Sequence, residues 1–106
     1  APGPPPLALV VQVVAAEAAV RDAAETARVR QRAYDVAAAK ATDYDARAME
    51  GLISLSDALD ARAVRDLAQV ALVHSRYQER IAIANLELAM GLTLVPESKP
   101  ETKEEK

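Results

Sequence analysis

The pair with the clearest spacing for chemistry is acidic: Asp57 and Asp60 lie three positions apart. Residues three apart share a helix face. Paired carboxylates can serve hydrolysis, or they can form an acidic ring at a pore mouth once copies of a chain assemble. The alternative is that both acids stabilise the positive end of a helix. That alternative explains Asp57 better than Asp60, which lies a turn deeper.

The residues that would complete an enzyme site are missing from the sequence. His74 is the only histidine, and there is no cysteine. The chain therefore has no disulfide, no thiol catalysis and no Cys-ligated metal site. A lone histidine is a poor ligand set, and no nucleophile, base and orienting group can be assigned together. The sequence predicts no catalytic residue, no metal and no cofactor, so we expect that the protein is not an enzyme.

The composition favours an extended helical object over a globule. Alanine is the commonest residue, and the chain has no Trp, no Phe and three Tyr. Few bulky side chains means little apolar area to bury, whereas alanine has the best helix propensity. The net charge is −3, with both signs interspersed, so no basic stripe points to a nucleic-acid partner. No apolar run reaches the roughly 18 residues of a membrane span.

Glycine and proline divide the chain into predicted elements. Residues 1–6 are Pro-rich and predict an extended lead-in. Residues 7–50 contain no Gly or Pro and predict one helix. A turn at 50–53 and a second helix at 54–90 complete a helical hairpin within residues 7–95. The charged segment 96–106 has the composition of a disordered tail.

Capping signals mark the ends of the two helices. Gly51 breaks the first helix in a left-handed turn that favours glycine. Ser54 begins the second, with Asp57 three residues later as the acid of a capping box. Gly91 suits the position just after the second helix, with Pro96 beyond it.

Both helices show an apolar heptad pattern. In the first helix it comprises Val13, Ala16, Val20, Ala23, Ala27, Arg30, Tyr34, Ala37, Ala41, Tyr44 and Ala48. In the second it comprises Leu55, Leu59, Ala63, Leu67, Val70, His74, Tyr77, Ile81, Ala84 and Leu88, with two extra four-residue steps near Ala63.

Folding the chain at Leu52 brings the two patterns together, so that the residue numbers of each facing pair add up to 104. Small residues then face large ones: Ala27 faces Tyr77, and Ala16 faces Leu88. Interdigitated packing requires such complementary sizes. The same mirror places Arg30 opposite His74. The fold class predicted is all-α, a long antiparallel two-helix coiled-coil hairpin; a parallel dimer of long helices is the alternative.

The turn and the second helix resemble a known family. The stretch 50–61 reads Glu-Gly-Leu-Ile-Ser-Leu-Ser-Asp-Ala-Leu-Asp-Ala, and it is similar to the tip signature of TolC-family outer-membrane efflux proteins. Farther on, Ser75-Arg76-Tyr77 resembles the family's Ala-Arg-Tyr. The stretch 85–91 resembles its closing Leu-x-x-Ala-Leu-Gly. The resemblance extends over about 33–91.

The resemblance implies a function in export. Members of the family are trimers whose periplasmic hairpins form a tunnel, which a β-barrel continues in the outer membrane of Gram-negative bacteria. Inner-membrane transporters load that tunnel through periplasmic adaptor (membrane fusion) proteins, for drug efflux or type I secretion. By the resemblance, the adaptor docks at Glu50, Gly51, Leu52 and Ser54. Asp57 and Asp60 would then line the tunnel near its entrance.

The chain departs from the family pattern in three respects. It has one hairpin where the family has two, no alternating segment predicts barrel strands, and Ala48 replaces the usual aromatic after the arginine. The alternative function is a stand-alone structural coiled-coil hairpin with no transport role. A membrane-surface helix is a further alternative, although the chain lacks aromatic anchors and a Lys-rich face.

Overall fold

A computed structural model of the protein describes residues 6–94, with side chains up to Gly91. Helix α1 spans Pro6–Met49 and helix α2 spans Leu55–Leu94. Contacts between residues far apart in sequence, such as the ion pair of Asp45 with Arg62, show that the helices run antiparallel. The predicted all-α helical hairpin is therefore confirmed.

The outer ends of the helices differ from those predicted. Pro6, placed in the extended lead-in, is the first residue of α1, a position where its missing N–H costs nothing. Gly91 does not end α2, which continues to Leu94. Pro96 follows two residues later, and the residue before a proline is disfavoured in helical conformation. The segments 1–5 and 95–106 lie outside the described residues.

The contact face of α1 is the one that its heptad pattern predicts. Every predicted position from Val13 to Ala48 is buried or half-buried, with the single exception of Arg30. Arg30 is exposed, and its neighbour Gln31 is half-buried. Ala41, in the half of α1 nearer the turn, has no exposed surface at all.

The contact face predicted for α2 is wrong. All ten predicted positions, from Leu55 to Leu88, are exposed; Leu67 retains 71% of its surface and Tyr77 59%. The residues that α2 turns towards α1 form a different and uninterrupted heptad pattern, here called the inner seam. The inner seam consists of Ala58, Ala61, Arg65, Ala68, Leu72, Ser75, Glu79, Ala82, Leu86 and Ala89.

The predicted pattern is thus a second stripe on the far side of α2. Val70 of that stripe lies two residues from Leu72 of the inner seam, and two residues turn a helix by about 200°. We call it the outer seam: Ala63, Leu67, Val70, His74, Tyr77, Ile81, Ala84 and Leu88.

Side-chain size explains why the smaller face turns inward. The contact face of α1 is mostly alanine, and six of the ten inner-seam residues are alanine or serine. Two small faces let the helix axes approach to the short end of the usual 8–10 Å range, where backbone and Cβ atoms gain dispersion contacts. The predicted pairing of Ala27 with Tyr77 does not form: Ala27 is buried, whereas Tyr77 remains 59% exposed on the far side of α2.

The axial register predicted by folding at Leu52 is nevertheless close to the observed one. Asp45 pairs with Arg62, and Gln31 accepts a hydrogen bond from Arg76. The residue numbers of each pair add up to 107, which differs from the predicted 104 by less than one helical turn. The error lies in the rotation of α2 about its own axis.

Candidate functional site

The helices are joined by a tight turn, and we call residues 49–55 the tip. Gly51 has φ of +76°. Its N–H donates to the carbonyl of Ala48 at 3.0 Å, and the N–H of Leu52 donates to the carbonyl of Arg47 at 2.8 Å. This pair of bonds is the Schellman motif, which satisfies the last carbonyls of a helix and needs a left-handed residue. The left-handed turn predicted at Gly51 is confirmed.

Ser54 begins the second helix as predicted. Its Oγ accepts a hydrogen bond from the backbone N–H of Asp57 at 3.1 Å, which is the N-cap interaction of a helix whose first residue is Leu55. The Asp57 carboxylate lies in the first turn of α2, where the helix dipole favours a negative charge. The tip is therefore a defined structure, capped on both sides by hydrogen bonds.

The tip exposes a larger apolar surface than the sequence indicated. Leu52 retains 67% of its surface, while Ile53 is half-buried. Met49 is 89% exposed, and Leu55 beside it is also exposed. The sequence pattern predicts no site at Met49 and places Leu55 in the contact between the helices. The run of large apolar residues on both sides of the glycine was the signal that could have identified them.

Asp57 and Asp60 are brought together as predicted. Both carboxylate residues line a groove of about 370 Å³ between the helices, next to the tip, with Lys40 and Tyr44 on the opposite wall. The Lys40 ammonium lies 5.1 Å from the centre of the Tyr44 ring, within the range of a cation–π contact. Neither acid takes part in any of the ion pairs formed within residues 6–91.

The two long flanks of the hairpin differ in their polar contacts. We call the flank with the Asp57–Asp60 groove the acid flank. The other, the clamp flank, carries the contacts that cross between the helices: the Asp45–Arg62 ion pair at 2.9 Å and the Arg76–Gln31 hydrogen bond.

The acid flank also contains the predicted neighbours Arg30 and His74. Both line a groove of about 260 Å³ together with Thr26 and Gln78. They lie at the same level of the hairpin, as the mirror register requires, but both are exposed. They line an open groove and do not form a buried polar layer.

Most charged side chains of the described hairpin are exposed, and some of them form ion pairs between neighbours on one helix. Glu25 and Arg28, one helical turn apart on α1, form an ion pair at 2.6 Å. The hydrogen bond from Arg28, together with its positive charge, lowers the pKa of the Glu25 carboxyl below its ordinary value. Since this pair is exposed, it adjusts the charge of the surface and does not hold the helices together.

The described residues limit the chemistry of the site. No group of three His, Cys, Asp or Glu side chains within the described part of the chain is arranged to hold a metal ion. Neither α1 nor α2 combines the length and apolarity needed to cross a membrane. The site is an apolar tip beside an acidic groove, which is suited to binding.

Comparison with known proteins adds no relative. No protein-family model, no curated protein and no solved structure matches the chain.

Proposed function

We propose that the chain is a periplasmic hairpin element of a TolC-like outer-membrane efflux duct, which docks a periplasmic adaptor through its tip and lines the export tunnel. The observation that carries this proposal is the outer seam of α2. The residues at the tip, with their similarity to the family signature, support docking to an adaptor. They also support the choice of the flank that faces the tunnel.

A helix with two heptad seams is built to have a helix neighbour on each side. The inner seam is covered by α1, and the outer seam lies about 200° around the helix from it. A continuous 3.5-residue repeat keeps a stripe facing one partner helix along its whole length. Helices with neighbours on two opposite sides form a layer, and a curved layer of hairpins is the wall of a tunnel. A neighbouring hairpin of the duct then covers the outer seam.

In such a wall the two flanks of the hairpin face the lumen and the outside. The acid flank is the one that carries Asp57 and Asp60, and we assign it to the lumen. Neither carboxylate forms an ion pair within the described hairpin, and Lys40 on the opposite wall of the groove offsets one of the two charges. Several copies around a tunnel mouth would still concentrate negative charge there. A ring of carboxylates favours the entry of cations.

The tip supplies the docking surface. A solvent-exposed turn with Leu52, Met49 and Leu55 around Gly51 offers apolar area, and exposed apolar patches mark interaction sites. Glu50 and Ser54 border it, as the family pattern implies for an adaptor contact. The alternative function, a structural coiled-coil hairpin with no transport role, also explains the outer seam. It does not explain the exposed apolar residues at the tip.

The experiment places substitutions in the full-length duct that carries this hairpin, together with its adaptor and inner-membrane transporter. Leu52→Asp should abolish adaptor capture and export, because a fully buried leucine contributes about 1.5–3 kcal/mol and a buried charge costs more. Leu52→Met, which keeps the apolar area, serves as the matched control and should retain both activities. Circular dichroism of the isolated hairpin verifies that the helices persist.

The acidic pair is tested in the same system. Asp57→Asn with Asp60→Asn should leave adaptor capture unchanged and weaken the preference for cations at the entrance. If Leu52→Asp captures adaptor and exports as well as Leu52→Met, the tip does not dock, and the structural coiled coil becomes the better proposal.

A further inference from the structure

We propose that the outer seam of α2 also pairs with the outer seam of a second copy of this chain, antiparallel, whenever no duct neighbour covers it. The partner is a second, identical hairpin, and the product is a symmetric dimer with its twofold axis near Val73. This inference rests on the pattern of α2 and not on the proposed transport function. The two uses of the seam are mutually exclusive.

The outer seam is the only long apolar stripe left uncovered in the described hairpin. The corresponding far side of α1 carries charged residues at its centre, Glu25 and Arg32, and Glu25 is already paired with Arg28. An apolar stripe loses most when it packs against charged side chains, because they must be desolvated. The surface that best covers an outer seam is therefore another outer seam.

The order of residues along the outer seam suits an antiparallel pair. Around a twofold axis near Val73, the small Ala63 lies against Ile81 of the second copy. In the next layers Leu67 lies against Tyr77 of the second copy, and Val70 lies against His74 of the second copy. Each contact occurs twice by symmetry, so the layers are complementary in size along about 30 Å of helix.

The charges that border the seam set the orientation. Asp66 and Arg80 lie on the same edge of the outer seam, seven residues to either side of Val73. In the antiparallel pair, Asp66 of each copy lies opposite Arg80 of the other, while Val73 lies opposite itself. Charges in these bordering positions choose partner and orientation in coiled coils. In a parallel pair, Asp66 would lie beside Ala71 of the second copy and gain no opposite charge.

Both groups are available for this contact. The side chain of Asp66 is 63% exposed, although Arg65 also pairs with it at 3.1 Å. Arg80 is exposed and belongs to none of the ion pairs within residues 6–91. The dimer would therefore place an opposite charge beside Arg80.

The test uses charge exchange in the full chain, with the dimer dissociation constant measured by analytical ultracentrifugation. Asp66→Arg alone brings two pairs of arginines together, and Arg80→Asp alone brings two pairs of aspartates together. Each variant alone should dimerise at least about tenfold more weakly than the original chain. An equimolar mixture of the two variants restores both opposite-charge pairs and should form a heterodimer about as tight as the original dimer.

A second measurement locates the axis. The chain has no cysteine, so Val73→Cys introduces one thiol, which should form a disulfide-linked dimer rapidly on mild oxidation. Val36→Cys, at a similarly exposed valine on α1, is the matched control and should remain largely uncrosslinked.

The proposal is overturned if the original chain stays monomeric at millimolar concentration, or if the mixed variants associate no better than each alone. Masses well above that of a dimer would also overturn it, because they indicate head-to-tail association of α2 with α1. None of these outcomes affects adaptor capture by the tip, so failure of the dimer and failure of the duct proposal are distinguishable.

Discussion

Individual residues fix the tip of the hairpin. Gly51 accepts the positive φ that the Schellman motif requires, and Ser54 provides the hydrogen bond that begins α2. The Leu52 side chain between these two residues is left in solvent, so the tip can present it without disturbing the helices. The hydrogen bonds that form the turn therefore do not involve the exposed Leu52 side chain.

The conformational role of Gly51 is testable against the other glycine of the hairpin. A Cβ at either Gly51 or Gly91 would meet no atom within 4 Å, so substitution changes only backbone preference. Gly51→Ala should destabilise the hairpin by about 1–2 kcal/mol, since an L-residue is strained in the left-handed region.

Gly91→Ala should instead stabilise it by about 0.5–1 kcal/mol, because that glycine lies inside α2. Urea unfolding followed by circular dichroism measures both. Equal effects at the two positions would show that Gly51 does not need its left-handed conformation.

The pairing of α1 with α2 depends on small residues. Ala41 is completely buried, and Ala58 and Ala61 of α2 are nearly so. Such a contact gains little from apolar area per residue, and its strength comes from close approach of the two backbones. The larger apolar residues of α2 remain free for the outer seam.

An insertion of volume into this contact tests its closeness. Ala41→Leu should destabilise the hairpin by about 1–3 kcal/mol, because the helices must separate to admit the side chain. Ala39→Leu, at an exposed position two residues earlier on α1, makes the same chemical change and should alter stability by less than about 0.5 kcal/mol. Thermal unfolding of the two variants provides the comparison, and similar melting temperatures would argue against a tight alanine contact.

At the scale of the whole described hairpin, residues 6–94 form a rod closed at one end. Helix α1 has 44 residues and α2 has 40, so the tip stands about 60 Å from the open end. A rod of this kind has too little internal core to enclose a ligand. Its exposed surfaces are its tip, its outer seam and its two flanks, and His74 lies where the outer seam meets the acid flank.

Distances between spin labels test this architecture in solution. Labels at Val14 and Met90, both exposed near the open end, should lie about 10–20 Å apart, as expected for adjacent antiparallel helices. Labels at Val14 and Leu52 should lie about 55 Å apart, from the rise of about 1.5 Å per residue. Dilution with unlabelled chain removes distances between molecules. A Val14–Met90 distance near about 110 Å would instead indicate one continuous helix without a closed tip.

The sequence by itself determined the features that arise from local interactions. The absence of Gly and Pro from 7 to 50, the break at Gly51 and the cap at Ser54 predicted two helices and the turn, because helix propensity and capping act within a few residues. The contact face of α1 was predictable too, since α1 has a single continuous heptad pattern. The grouping of Asp57 with Asp60 followed from helical spacing alone.

Tertiary structure decided which side of α2 meets α1. The helix carries two stripes, of which the inner seam keeps a regular heptad spacing and the predicted stripe has two extra four-residue steps near Ala63. The expectation that the bulkier stripe is buried was wrong: α1 packs on the inner seam, in which six of ten residues are alanine or serine. That rotation also decided which residues are exposed: it leaves Leu67 and Tyr77 in solvent and turns Leu55 outward beside Met49.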